Sequence, residues 1–261
     1  MVSRTEPHFA ASAFMREQTP LPLPLLRASS FACRVDVRHG FTTRFDGSGD
    51  RLDLGRDATP QAWASAAAAL AMPGASVARV HQVHGATVHR VEDGGVAGEG
   101  DGVLTTTPGV ILAVRTADCV PVLLVLGTPA VAVAAVHAGW RGVAADILGV
   151  AVRALRKLDA AATIQAVIGP AISGSRYEVG EEVVDAIRAT GVPVDAFVQR
   201  PAGAPRPFAD VRAAARWQLQ REGIHDIEQL PHCTYDDPSL WSHRRDGRTR
   251  GSLAALIGMV G

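Results

Sequence analysis

The sequence predicts an α+β protein in which mixed β-sheets are layered with helices. Three observations carry that expectation. Five valine-rich runs follow one another closely between residues 77 and 136. Helical patterns stand before and after these runs instead of alternating with them. A chain of 261 residues with 47% hydrophobic content can also bury a large core.

Taken in order, residues 1–30 contain Pro20, Pro22 and Pro24 and are expected to form a variable, loosely ordered tail. A single domain over 31–261 should follow. Its first strand is expected within 33–44, ahead of a glycine-rich loop. Pro60 then opens an alanine-rich helix through Ala71, because proline's missing N–H costs least in the first helical turn. The runs 77–83, 87–91, 110–115, 120–126 and 130–136 read as strands of an extensive sheet. Helix returns at 141–157, where Val143, Ile147, Ala151, Leu155 and Leu158 keep one apolar stripe at helical spacing. Asp146 lies early in that segment and Arg153, Arg156 and Lys157 lie late, which complements the helix dipole. Two more helices are expected over 181–189 and 209–222, separated by a proline-rich, exposed connection at 200–207.

Composition narrows the class of protein. The 26 basic residues balance 26 acidic ones and aromatic content is 5%, so no nucleic-acid surface or acidic partner is expected. Three cysteines, Cys33, Cys119 and Cys233, are an odd number in a chain too large to need disulfide staples. They point to a reducing compartment, and the N-terminus, interrupted by Glu6, Arg16 and Glu17, lacks a signal-peptide pattern. A cytoplasmic location is expected. Residues 119–136 carry no charge and approach the length of a membrane span. Gly127, Thr128 and Pro129 divide that stretch, so two buried strands joined by a turn are expected in place of a membrane helix.

The chemistry concentrates where strand-like runs meet turns. His84, Cys119 and His137 occupy such joins, and their types suit a zinc ion with its fourth position open, the arrangement of a catalytic centre. Cys119 belongs to the polar cluster Arg115-Thr116-Ala117-Asp118-Cys119; its thiolate could bind metal or act as a nucleophile, while an inert buried thiol is the plainer reading. After His137, the run Ala138-Gly139-Trp140-Arg141-Gly142 turns directly into helix. It could cradle a phosphate on glycine-exposed amides and Arg141, or could simply be a tight turn. In His81-Gln82-Val83-His84-Gly85 the two histidines would point to opposite faces of a strand, and His84 is the better ligand candidate. Cys33 and Cys233 lack such surroundings and read as structural.

Several of these segments together resemble the family variously called laccase-domain, YfiH-like or purine nucleoside phosphorylase proteins. The resemblance rests on His39-Gly-Phe-Thr-Thr-Arg44, Gln82-Val-His-Gly85, Asp101-Gly-Val-Leu-Thr105, Thr116-Ala-Asp-Cys119 and Val136-His-Ala-Gly-Trp-Arg-Gly142. It continues through Ile168-Gly-Pro170, Tyr177-Glu-Val179 and Ser242-His-Arg-Arg-Asp246, in order along nearly the whole chain. The sequence departs from the family at Asp53-Leu-Gly55 and at Thr249-Arg-Gly251, the latter bearing on whether Arg250 reaches the site. The resemblance implies a YfiH-like fold and a cytoplasmic zinc enzyme with His84, Cys119 and His137 as ligands. It implies phosphorolysis of purine nucleosides such as adenosine, inosine or methylthioadenosine, with deamination of adenosine at the same metal.

Arg44, Gln82, Asp118, Arg141 and Tyr177 are the expected substrate and phosphate contacts. A purine nucleoside and phosphate are then the partners, with no nucleic acid and no membrane, and the chain acts as a monomer or small homo-oligomer. Copper-dependent phenol oxidation is the weaker reading, because nine histidines are scattered and no His-x-His occurs. A hydrolase using Cys119 as nucleophile with His137 or His84 as base is the main alternative. A nucleotide-binding module stabilised by zinc is the third.

Overall fold

Valine-rich runs buried on both faces become the centre of this fold. The computed structural model describes residues 23–261. Strand β1 (Leu25–Leu26) leads through the short helix α1 (Ser29–Ala32) to β2 (Val37–Thr42), and α2 (Pro60–Ala69) follows a long loop. Seven strands come next: β3 (Ser76–His81), β4 (Val88–Arg90), β5 (Gly95–Glu99), β6 (Gly102–Thr105), β7 (Val110–Thr116), β8 (Val120–Leu126) and β9 (Ala132–Ala138). Helices α3 (Trp140–Ala144) and α4 (Ile147–Arg156) lead to β10 (Ile164–Ile168), α5 (Glu181–Arg188) and α6 (Val194–Phe197). The remainder comprises β11 (Val198–Gln199), β12 (Phe208–Ala209), α7 (Val211–Arg221), β13 (Ile227–Gln229), α8 (His243–Asp246) and β14 (Leu253–Met259).

Two six-stranded sheets result, one in the order β1-β2-β14-β7-β3-β5 and the other β13-β10-β8-β9-β6-β4. Both are mixed: β3 runs parallel to β5 and β7, and β4 parallel to β6, within otherwise largely antiparallel ladders. The sheets pack face to face through Leu112, Val114, Ala255 and Ile257 on one side and Leu123, Val125, Val133 and Val167 on the other. Helix α2 covers the outer face of the first sheet through Trp63, Ala66 and Ala67 against Ile111 and Leu256. Helices α3, α4, α5 and α7 cover the second. In β8, Val122, Leu124 and Leu126 face the helices while Leu123 and Val125 face the other sheet. A strand buried on both faces reads as a continuous apolar run, which is why 120–126 was legible.

The uncharged stretch 119–136 forms two antiparallel strands, with Val120 opposite Ala138 and Leu126 opposite Ala132. Among the described residues, no helix is long and apolar enough to cross a membrane. Several local expectations change. Residues 1–22, most of the expected tail, lie outside the described residues, whereas Leu25 and Leu26 pair with β2. The strand expected within 33–44 is confined to Val37–Thr42, because Cys33 closes α1 and the Arg34 guanidinium turns aside to Asp36 at 2.8 Å and the Gly127 carbonyl at 2.9 Å. The helix expected over 141–157 is two helices. Asp146 sits between them in the left-handed region (φ 58°), its carboxylate held by Arg153 at 3.0 Å and also contacted by Arg221. The second strand of the pair begins at Ala132, two residues later than expected, after a turn containing Gly127 at φ 85°.

Candidate metal centre

The three predicted ligands converge where the chain passes from one sheet to the other. Cys119 lies in the tight link between β7 and β8, His137 lies in β9 opposite Pro121, and His84 follows β3. Their ligand atoms all lie within 4.8 Å of one another, and this is the one such group of three or more found among the described residues. A tetrahedral zinc holds its ligand atoms roughly 3.5 Å apart. Closing on an ion therefore takes about an ångström of side-chain movement, and the exposed His84 is free to supply it. The backbone leaves room for an ion: a Cβ at Gly139 would stand 3.0 Å from His84 Cδ2 and 3.1 Å from Cys119 Sγ. Two imidazoles and one thiolate around a space kept clear by glycine fit a zinc ion with an open position.

Asp101 organises the trio from beneath. Its side chain is fully buried (0% exposed), and Oδ1 accepts from His137 Nδ1 at 2.8 Å. The same carboxylate accepts from the backbone N–H groups of Val83 (3.2 Å), His84 (3.0 Å) and Gly85 (2.6 Å). Burial pushes the Asp101 carboxyl up, but these hydrogen bonds outweigh it and hold the group below the usual carboxylate range. An ionised Asp101 favours a proton on His137 Nδ1, which would leave Nε2 available to a metal ion. Its bonds to the N–H groups of residues 83–85 also hold His84 in the left-handed backbone region at φ 61°. Gly142 lets the following turn pack 3.1 Å from the Gly85 carbonyl, as measured to a Cβ built there.

Without metal the trio is an ion pair. Burial would raise the Cys119 thiol, yet the His137 and His84 imidazoles hold it at about 6. Burial likewise works against charge on His137, and the facing thiolate with Asp101 raises it to about 9. Thiolate with imidazolium is the direction the geometry supports.

Two lobes open from the trio. One, of about 320 Å³, is lined by Asp53, Arg56, Gln82, Arg115 and Arg250. The other, of about 450 Å³, is lined by Trp140, Arg141, Ile172, Tyr177, Val211 and Arg244. Arg141 lies over the Trp140 ring at 4.3 Å and Arg244 over the Tyr177 ring at 5.0 Å, so both aromatic residues are roofed by cations. Arg250 lines both lobes, despite the altered residues around it.

Of the expected substrate contacts, Arg141 and Tyr177 face the second lobe. Gln82 faces the first, but both ends of its amide are committed to Arg115, at 2.8 Å to its N–H and 2.8 Å to its carbonyl. Asp118 lines the second lobe with its carboxylate already taken by the Thr234 hydroxyl and the Arg244 N–H, each at 2.6 Å. These two residues shape the cavity. Arg44 is not among the residues lining either lobe: its guanidinium stacks 4.2 Å from the Trp241 ring and lies 3.8 Å from Asp246. The phosphate cradle expected at the start of a long helix is also altered, since α3 has five residues. His81 is exposed at the end of β3 and lies apart from the metal trio. Asp101, Arg56, Arg115 and Arg244 were not assigned roles from sequence. Asp101 and Arg244 stand within quoted motifs, and Arg115 begins the polar cluster that ends at Cys119.

Two mixed sheets with a His–Cys–His cluster at their seam, of a kind that could hold a metal ion, define the class of this protein. The chain belongs to the family described as multi-copper polyphenol oxidoreductase laccase, which its residues 38–260 match. It is 38% identical over 247 residues, 91% of this chain and 93% of the relative, to a purine nucleoside phosphorylase of Deinococcus radiodurans. It is 36% identical over 184 residues to the purine nucleoside phosphorylase YfiH of Escherichia coli, covering 69% of this chain and 73% of that one. Among solved structures, Bacillus licheniformis YfiH superposes with a TM-score of 0.79 at 28% identity, covering 91% of this chain and 96% of that one. YlmD from Geobacillus stearothermophilus gives 0.78 at 30%, covering 93% and 100%.

Proposed function

We propose that this protein is a zinc-dependent purine nucleoside phosphorylase of the cytoplasm, with adenosine deaminase activity at the same centre. The observation that carries the reading is the trio His84, Cys119 and His137, open on one side to a two-lobed cavity lined by arginines and aromatic rings. The names of the relatives point the same way. Bound there, zinc would act as a Lewis acid for an anion or a water. The lobe lined by Trp140, Tyr177 and Ile172 offers apolar and aromatic surface for a purine nucleoside, while Arg141 and Arg244 supply donors for its polar groups. In phosphorolysis a phosphate oxygen bonds to the anomeric carbon as the bond from that carbon to the base nitrogen breaks. The electron pair leaves with the base, which takes up a proton. The residues contribute chiefly by placing the two reactants together.

Three free thiols suit a reducing cytoplasm. A multi-copper oxidase would need further copper sites beyond this single cluster among the described residues. One observation favours a second reading: a thiol at about 6 beside an imidazole is also a nucleophile–base pair, as in cysteine hydrolases. A single product analysis separates them. Pure protein with adenosine and phosphate should yield adenine and ribose 1-phosphate, and without phosphate should yield inosine. His84→Ala, Cys119→Ala and His137→Ala should each lose zinc and both activities together. Full activity in zinc-free protein would transfer the case to the cysteine nucleophile.

A further inference from the structure

Four arginines gather beside the His84–Cys119–His137 trio, two of them, Arg79 and Arg115, on the interior strands β3 and β7 of the first sheet. Arg56, Arg115 and Arg250 line the first lobe. Arg56 and Arg115 also line, with Arg79 and His81, a small hollow of about 30 Å³ that continues the lobe toward the exposed Val96 of β5. Among the described residues, no carboxylate lies within 4.0 Å of any of these four guanidinium groups. Arg79 lies 4.6 Å from the Trp63 ring, and its buried Nε has no hydrogen-bond partner. Arg115 gives Nε to Gln82 Oε1 at 3.3 Å. Burial works against the charge on Arg115, and the charges of Arg56 and Arg79 add to that pressure. Asp53, which lines the same lobe, and Asp57 oppose it. Asp53 Oδ1 is already occupied by the N–H groups of Gly55 at 2.8 Å and Ser252 at 2.7 Å. Like charges held together on the outer face of the first sheet, one with an orphaned buried donor, make a site that a compact dianion would complete.

We propose that Arg56, Arg79, Arg115 and Arg250 form a phosphoryl-dianion site beside the metal centre, separate from the lobe of Trp140 and Tyr177. This deepens the phosphorylase reading and rests on it for the identity of the anion. The same chemistry has two sources: the inorganic phosphate that phosphorolysis consumes, or the ester phosphate of a nucleotide bound through its base in the other lobe. Either would share its charge among planar, fork-shaped donors that suit phosphate oxygens.

Calorimetric titration of the zinc-loaded protein with inorganic phosphate, adenosine and adenosine 5′-monophosphate tests the site without requiring turnover. Arg56→Ala and Arg79→Gln should each weaken anion binding by about tenfold or more, with zinc content unchanged. Loss confined to inorganic phosphate identifies the free anion. Loss of an advantage of the monophosphate over adenosine identifies the ester. Anion binding that is unaltered in both variants overturns the proposal. Adenosine cleavage whose phosphate dependence is also unaltered would then leave the phosphorylase reading standing. Conversely, phosphate binding that depends on these arginines in a protein that cleaves no nucleoside would keep the site and remove that reading.

Discussion

At the scale of single residues, Asp101 serves two ligands at once, orienting the His137 ring and clamping the loop that carries His84. Asp101→Asn keeps the shape but loses the charge and the certainty of the His137 tautomer. Zinc affinity should fall roughly 10–100-fold, measured by competition with a chromophoric chelator. Gly139→Ala should keep the fold, because its backbone (φ −68°, ψ 164°) is open to any residue. The added methyl would press on His84 and Cys119, so zinc content should drop while the apo-protein melts nearly unchanged. Proton linkage offers a third check. With Cys119 at about 6 and His137 at about 9, zinc taken up at pH 7 displaces chiefly the His137 proton. About one proton should be released, read by calorimetry in buffers of different ionisation enthalpy, and affinity should rise with pH toward 9. The three proposed ligands were legible in the sequence because each lies at or near the end of a strand. Asp101 was not assigned a role, because a carboxylate flanked by glycines reads as a turn residue until its distant partners are seen.

At the scale of elements, β8 and β9 bring Cys119 and His137 together by register alone. Leu123 and Leu124 are both fully buried, on opposite faces of β8. Leu123→Ala and Leu124→Ala should therefore cost similar amounts, about 2–5 kcal/mol each by denaturant unfolding. A large asymmetry would mean that one of the two cores is loosely packed. Strand β2 carries a different sensitivity in His39, which is 1% exposed and whose Nε2 accepts from the Ala28 N–H at 2.9 Å. Burial holds His39 near 4, with the Arg27 charge acting in the same direction. The unfolded chain takes up this proton below about 6.5 and the folded one only near 4, so stability should fall as pH drops through that window, by up to about 3 kcal/mol. Urea midpoints at pH 7, 5.5 and 4.5 for the wild type and His39→Gln would reveal it, the variant losing that part of the pH dependence. The double-buried strands and the helices α2, α5 and α7 were readable from apolar runs and periodicity. The break at Asp146 was not, because the 141–157 stripe stays helical in period while the left-handed residue is held by Arg221 from another helix. Strands β10 and β14 were missed for a related reason: short alanine-rich runs such as Leu253–Met259 become strands only beside the partners that cover them.

At the scale of the whole molecule, the ligands belong to different layers: His84 follows a strand of the first sheet, and His137 sits in the second. An ion bound between them joins the sheets, so zinc at about 100 times its dissociation constant should add roughly 2.7 kcal/mol of stability. A melting temperature that does not respond to free zinc would contradict the centre. Strand order has a consequence of its own. Residues 253–259 fill the gap between β2 and β7, pairing with both along nearly their full length. On the ribosome, the first sheet cannot close until residues 253–259 have left the exit tunnel, and β2 and β7 wait until then, each with one bare edge. Strands in that position recruit one another between chains as readily as within one. A nascent chain stalled before residue 253 should be protease-sensitive and captured by chaperones, and one released with residues 253–259 present should become resistant within a single cooperative step.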